Sequence, residues 1–503
     1  MHAKSLKSRL LGFAGGAALA VAALTGAHTS ADAKSSLSLG MALEPPHLDA
    51  TAGAAAAIDG VVYQNIFQGL TRIGPDGSVL PSLAKSWDVS DDGLTYRFHL
   101  QNGVVFHDGT PFSADDVKFS LDRARADDSV NAQKPLFDGI SEVVVVDPQT
   151  VDIKLTSPSG NLAYNLAWGD AVIVSPKTAE TNKTKPVGTG PFKFDRWMKG
   201  QEIRISRFDG YWGEQPQLDT ASFRFISDPN AAFAAMISGD LDAFPVYSAP
   251  ETIVQFEADP RFEVAIGTTE GETILAMNNT RGPLKNKLVR QAISHAINKQ
   301  ALIDGAMFGL GTPIGTHFAP HHPAYNDLTG LYPYDPAKAK ELLAQAGYAE
   351  GFSATLKLPP PTYARRGGEL IASDLKKVGI DLKIVPVEWA QWLSEVFKET
   401  NYDFTIVSHV EPMDIGIYAR DKYYFNYSSD QFKTLIDELN VTVDEDKRTE
   451  LLKQAQQSIS EDAVNVYLFQ LAKTGVWNAN VKGLWHNAPT PANDLSQVYW
   501  TDN

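Results

Sequence analysis

The chain has 503 residues, 43% of them apolar, with 60 acidic side chains against 44 basic ones and a formal net charge of −16. That length exceeds the roughly 250–300 residues at which a single core stops growing, so two or more lobes are expected, and the apolar share rules out disorder. The acidity argues against nucleic acid or anionic membrane as partners, and the absence of cysteine removes disulfides, thiolate metal sites and cysteine nucleophiles.

The chain opens on Lys4, Lys7 and Arg9, then an apolar run over 10–24, then Ala31-Asp32-Ala33 in a small-x-small pattern. The run is shorter than the roughly 20 residues of a spanning helix, so a signal peptide over 1–33, cleaved near Ala33, is expected. No cysteine is available for a lipid anchor, and export without an anchor points to a periplasm. Short strands broken by turns follow. Gly74-Pro75-Asp76-Gly77, Asp91-Asp92-Gly93 and His107-Asp108-Gly109-Thr110-Pro111 are turn clusters. Between them 95–100 alternates polar and apolar residues as a half-buried strand does, and Ser113 is the expected N-cap of an amphipathic helix through Val117, Phe119 and Leu121.

In the second half, Val289, Ala292, Ile293, Ala296, Ile297 and Ala301 form one helical stripe, and Asp335-Pro336 opens a helix that Gly347 ends. Next come a strand at Ala354, Leu356 and Leu358, a helix through Leu370 to Val378, and a strand at Ile380, Leu382 and Ile384. A helix near 389–397 and a third strand near 402–408 complete β-α-β-α-β, which requires a parallel sheet with helical crossovers. Ligands of open α/β sheets bind beyond the carboxyl ends of the strands. Those ends carry Tyr363, then Glu388 and Trp389, then His409, Glu411 and Asp414, so aromatics, carboxylates and an imidazole should meet on one rim. The pair His107-Asp108 reads as structural, and His317, His321 and His322 read as solvated loop residues. No His-Glu-x-x-His helix, Gly-x-Ser-x-Gly elbow or Gly-x-x-x-x-Gly-Lys loop is present, so neither enzyme nor cofactor chemistry is expected.

Eight segments in register resemble the large solute-binding proteins of dipeptide, oligopeptide and nickel ABC importers, the extracellular solute-binding family 5. They include Glu44-Pro45-Pro46-His47-Leu48-Asp49, Asn65-Ile66-Phe67-Gln68-Gly69-Leu70, Pro81-Ser82-Leu83-Ala84-Lys85-Ser86-Trp87 and Phe106-His107-Asp108-Gly109-Thr110-Pro111-Phe112. Further on stand Gly188-Thr189-Gly190-Pro191-Phe192, Tyr211-Trp212-Gly213, Val289-Arg290-Gln291-Ala292-Ile293 and Tyr334-Asp335-Pro336-Ala337. The resemblance implies an α/β, two-lobed periplasmic binding protein with a hinge, type II-like and of the large form with an extra subdomain. Lobe I would cover 34–278, with the extra subdomain near 61–185 and completion by 485–503, and lobe II would cover 279–484. It also implies a monomer that hands a small solute to membrane permease subunits.

Among the dipeptide-binding relatives, an Asp after the third strand pairs the ligand's amino group. The matching segment here is Glu411-Pro412-Met413-Asp414, which puts that role on Asp414 or Glu411. Trp389 matches a ligand-stacking position, whereas Trp87, Trp212 and Trp392 match packing positions, and Gly109 and Gly190 match turn glycines with permissive backbone angles. The relatives' carboxylate-clamping arginine has no counterpart at its place. Arg365 and Arg366 fall at the start of the following helix. Tyr363 and Tyr418 add apolar faces, and Tyr423-Tyr424 reads as core. The ligand expected is a peptide, with a sugar, sugar-amine conjugate or opine as the alternative class, and after these a nickel chelate, raised by His317, His321 and His322, or a sensory binding role without transport.

Overall fold

The computed structural model describes residues 34–501 apart from 54, 248 and 412, so the expected signal peptide lies outside the described residues. Its frame is an 11-stranded mixed sheet. At one end, Ile380–Pro386, Phe352–Leu358 and Phe404–His409 run parallel, with Phe352–Leu358 in the middle. At the other end, Ser36–Met41 lies parallel to Thr220–Phe225 and Ala243–Phe244, and the antiparallel strands Glu202–Arg207 and Phe192–Met198 close the edge. Two long antiparallel strands, Phe262–Met277 and Val466–Asn478, join the ends.

These two strands each serve more than one core. Ala265 and Trp477 pack with Leu39, Phe192 and Phe223, whereas Leu275, Met277 and Leu468 pack with Ile293, Leu356 and Phe404. Between those sections the register shifts, from Thr268 opposite Ala472 to Glu272 opposite Gln470. Such a bulge bends the strand and re-aims its side chains. Here it lies beside Glu270 and Glu272.

A separate antiparallel sheet, in the order Ala84–Val89, Thr95–Leu100, Thr150–Leu155 and Ile140–Asp147, packs on the helix Ala114–Arg125 around Phe98, Val117, Leu121 and Ile153. Ser113 caps that helix as expected, and Asp116 completes a capping box. Trp87 and Trp212 are half-buried against this cluster, which agrees with packing roles.

The expected β-α-β-α-β order is present, with its helix at Thr362–Lys376 and its third strand at Phe404–His409. Three details differ. The single stripe from Val289 to Ala301 is two helices, Lys287–Ala296 and Lys299–Met307. Asn298 caps the second by accepting from the Ala301 amide, and this restart falls within one apolar face. The helix near 389–397 is one turn at Trp389–Gln391 that widens into a π-type segment at Trp392–Lys398. Gly109 has the expected positive φ of 83°, but Gly190 does not; a Cβ there would lie 2.4 Å from the Asn65 carbonyl oxygen. Close approach, rather than backbone angle, requires that glycine.

Candidate functional site

The residues at the three strand ends fall into an exposed upper level and a buried lower level. On the upper level, Trp389 is 41% exposed and packs edge-on against Trp392, whose buried indole donates to Thr405 Oγ1 at 2.9 Å. Trp392 thus anchors and Trp389 is presented. The Tyr363 hydroxyl accepts from the Ser408 amide at 3.3 Å. Glu411 is exposed. Arg365 donates to the carbonyls of Pro359 at 3.0 Å and Val387 at 3.1 Å, with Glu388 at 3.4 Å, so it ties two loops together. Arg366 instead donates to Gly305 O, with its guanidinium 5.2 Å from the Phe308 ring centre. Arg365 is half-buried, whereas Arg366 is exposed and remains a surface group.

On the lower level, His409, Asp414 and Tyr418 are interior. Asp414 pairs with His317 Nε2 at 2.7 Å and with His409 Nδ1 at 3.3 Å. Burial opposes its ionisation, yet the two imidazoles win and hold the carboxyl well below the usual range. The outer ring nitrogens are occupied too, His317 Nδ1 by the Tyr418 hydroxyl at 3.1 Å and His409 Nε2 by the Tyr424 hydroxyl at 2.9 Å. Tyr418 also accepts from Asn465 at 3.1 Å. Both Asp414 oxygens are therefore engaged, and the expectation that this carboxylate stands open to a ligand ammonium is corrected. Tyr418, 2% exposed, offers no face to the rim.

The expectation of solvated histidines is also corrected. His317 is 1% exposed, and His321 bridges Thr268 Oγ1 and Glu270 Oε1, both at 2.7 Å. His322 accepts from the Ala324 amide, and burial lowers its pKa to about 4. Sequence patterning reads a Pro-flanked loop as exposed, but this loop packs against the bulged strand. His107 is structural as expected. Its ring accepts from the Gly188 amide and pairs with the Gly190 carbonyl, and burial lowers its pKa to about 4.

Two charged groups, Glu272 and Lys473, were not legible as site residues. Glu272 is 3% exposed with Oε2 unpartnered, and burial, then Asp414 and Glu270, push its pKa well above normal. It shares a small cavity of about 10 Å³ with His317, Met413 and Asp414. His317, His409 and Asp414 each present a donor atom within 4.8 Å of the others, a spacing that a metal ion can bridge. Lys473 lines a second, mostly apolar cavity of about 290 Å³ beyond the ends of Ser36–Met41 and Ala243–Phe244, with Met41, Leu43, Pro245, Val246 and Thr490. Its ammonium donates to the carbonyls of Trp485 and Asn487, and burial lowers its pKa to about 8. Among the described residues no carboxylate pairs with it. The sequence signal was a lone charge in an apolar strand.

A sheet whose two parallel ends carry separate cavities, joined by two shared strands, is the architecture of a two-lobed solute-capturing protein. The family described as bacterial extracellular solute-binding proteins, family 5 (middle region), matches residues 78–414. The chain is 34% identical over 432 residues to the dipeptide-binding protein of Escherichia coli K12, covering 76% of this chain and 79% of that one. Among solved structures, DppA of Helicobacter pylori in complex with the peptide STSA superposes with a TM-score of 0.70 at 27% identity, covering 93% of this chain and 99% of that one. AgaA of A. tumefaciens R10 in complex with agropinic acid does so at 0.68 and 28%, covering 93% and 99%. This protein belongs to the family 5 extracellular solute-binding proteins.

Proposed function

We propose that this solute-binding protein works in the periplasm, after removal of residues 1–33, as the capture component of an ABC importer for a peptide bearing a free carboxylate. Lobe I comprises about 34–278 with 485–503, and lobe II about 279–484. The hinge lies where the two long strands pass between cores, near the bulge at 268–272. Solute contacts both lobes only when they close, so its differential affinity for the closed form drives closure, and permease subunits read that form.

Lys473 is the observation that carries the ligand assignment. A buried ammonium held only by backbone carbonyls is short of negative charge, and its cavity is otherwise apolar. A solute carboxylate supplies that charge in a charge-assisted bond. Lys473 thereby takes the place of the relatives' arginine clamp. On the opposite rim, Trp389 offers a stacking face, and exposed Glu411 a partner for an ammonium. The likeness to AgaA with agropinic acid favours an opine as the second reading.

The experiment is a thermal-shift and calorimetric panel of short peptides with free or amidated C-termini, opines and neutral sugars. A true ligand raises Tm by mass action. Free-acid peptides should bind about tenfold or more tighter than their amides. Equal affinity for acid and amide would remove Lys473 from this role.

A further inference from the structure

We propose that the corner at residues 439–448 docks on the loop at 158–161 as a latch between the extra subdomain and lobe II. The latch forms without solute and sets how much of the ligand-free protein stands ready to close. The inference takes its two lobes from the function proposed above and nothing from the ligand assigned there.

The loop runs from the strand Thr150–Leu155 to the short helix Leu162–Asn165, and the corner joins the helices Asp430–Val441 and Glu445–Glu461. Two hydrogen bonds cross between them. The Gly160 amide donates to the Asn440 carbonyl at 2.8 Å, and Arg448 donates through Nη2 to Asn161 Oδ1. Arg448 is 6% exposed, and its Nη1 donates to the Leu439 and Thr442 carbonyls at 2.9 and 3.0 Å. The guanidinium therefore holds the corner in shape and offers its remaining donors to the loop. Val443, at the tip of the corner, packs against the core of the four-stranded sheet.

Gly160 shows how closely the two bodies meet. A Cβ there would lie 1.9 Å from both the Thr442 carbonyl oxygen and Arg448 Nη1, and its φ is not positive, so the clash alone demands glycine. A second touch lies at the turn 74–77, where a Cβ on Gly77 would sit 3.3 Å from the His322 ring. His317, on the same loop as His322, pairs with Asp414 beyond the strand end, so these contacts fall on the side of lobe II that faces the cleft.

The contact is built to be made and broken. It is small and polar, and on undocking Arg448 keeps its two carbonyls while water replaces Asn161. The covalent connection between the lobes is the pair of long strands. A contact away from them exists only when the extra subdomain lies against lobe II, so it stabilises that arrangement. A larger fraction of the protein is then competent to close, and every solute gains affinity by the same factor.

The test is small-angle scattering of the solute-free chain beside its Gly160→Ala and Asn161→Ala variants, with the peptide panel run on each. Gly160→Ala wedges the contact apart. Asn161→Ala removes the acceptor of Arg448, and because the Asn161 side chain caps no helix amide, the subdomain's own structure is left alone. Near-ultraviolet circular dichroism confirms folding, and Asn161→Ala decides the matter should Gly160→Ala fail to fold. Both variants should show a larger radius of gyration than the parent without solute, and the parent's radius at saturation. Every peptide should weaken by one common factor, about fivefold or more, with the preference for free acid over amide unchanged. Gly139→Ala, in the same subdomain with open space around its Cβ, should match the parent. A solute-free radius that is unchanged or smaller in a folded variant, or a loss of affinity confined to some peptides, overturns the latch. The scattering needs no ligand, so it decides the latch even where the peptide panel finds none.

Discussion

Replacing Lys473 by methionine separates what the fold tolerates from what the cleft uses. Methionine keeps the length and apolar stem and removes the charge. In the folded chain Lys473 titrates near 8 against an ordinary value of 10.5, and because it is almost fully buried the difference converts at about 1.4 kcal/mol per unit to about 3 kcal/mol of cost. The variant loses the hydrogen bonds to the Trp485 and Asn487 carbonyls, which offsets about 1–2 kcal/mol. The net expectation at pH 7 is a ligand-free protein about 1–2 kcal/mol more stable than the parent. The sign with pH is fixed. Between the two pKa values the unfolded chain holds the proton that the folded chain has lost, so the parent's stability rises with pH from about 8 to 10.5. The cost is complete below pH 8 and gone above 10.5. Urea unfolding at pH 7 and pH 10.5 measures both margins, and the variant's advantage should disappear at the higher pH. Peptide binding at pH 7 should meanwhile fall at least about tenfold, with the gap between acid and amide closing. A variant that is less stable at pH 7, or that keeps its full preference for the free acid, refutes the reasoning.

Other expectations follow from packing. Trp389→Ala should weaken solute binding by about 1–2 kcal/mol in calorimetry while Tm stays within a degree or two, because its ring is largely exposed. Trp87→Ala should do the reverse, costing about 2 kcal/mol in urea unfolding with affinity unchanged, since Trp87 packs on Phe98 at 5.9 Å. Gly190→Ala should cost more than Gly109→Ala by about 1–2 kcal/mol. The first forces a Cβ onto the Asn65 carbonyl, whereas the second faces open space and meets only the backbone penalty.

Local patterning was legible where one segment decides its own structure. Ser113 with Asp116, Asp335 with Pro336, and the alternation along 354–358 and 380–384 each carry their capping or pleat chemistry within a few residues. The strand-end rim followed from chain order alone, since parallel strands put their carboxyl ends on one side. What escaped was set by distant partners. His317 and Asp414 meet across 97 positions, and Lys473 sits opposite Gly267 on a shared strand. No window around His317 to His322 shows that a bulged strand will cover it. Asp414 was read as open because His317, one of its two imidazole partners, comes from a distant segment. Gly190 was assigned by its residue type, whereas its reason is a carbonyl more than a hundred residues away.

The account stands or falls on capture with closure and without chemistry. Small-angle scattering of the purified chain, alone and saturated with the peptide that raises Tm most, should show a smaller radius of gyration in the complex, and mass spectrometry should recover that peptide intact. An unchanged radius at saturation, or recovery of the peptide as a converted product, would contradict it.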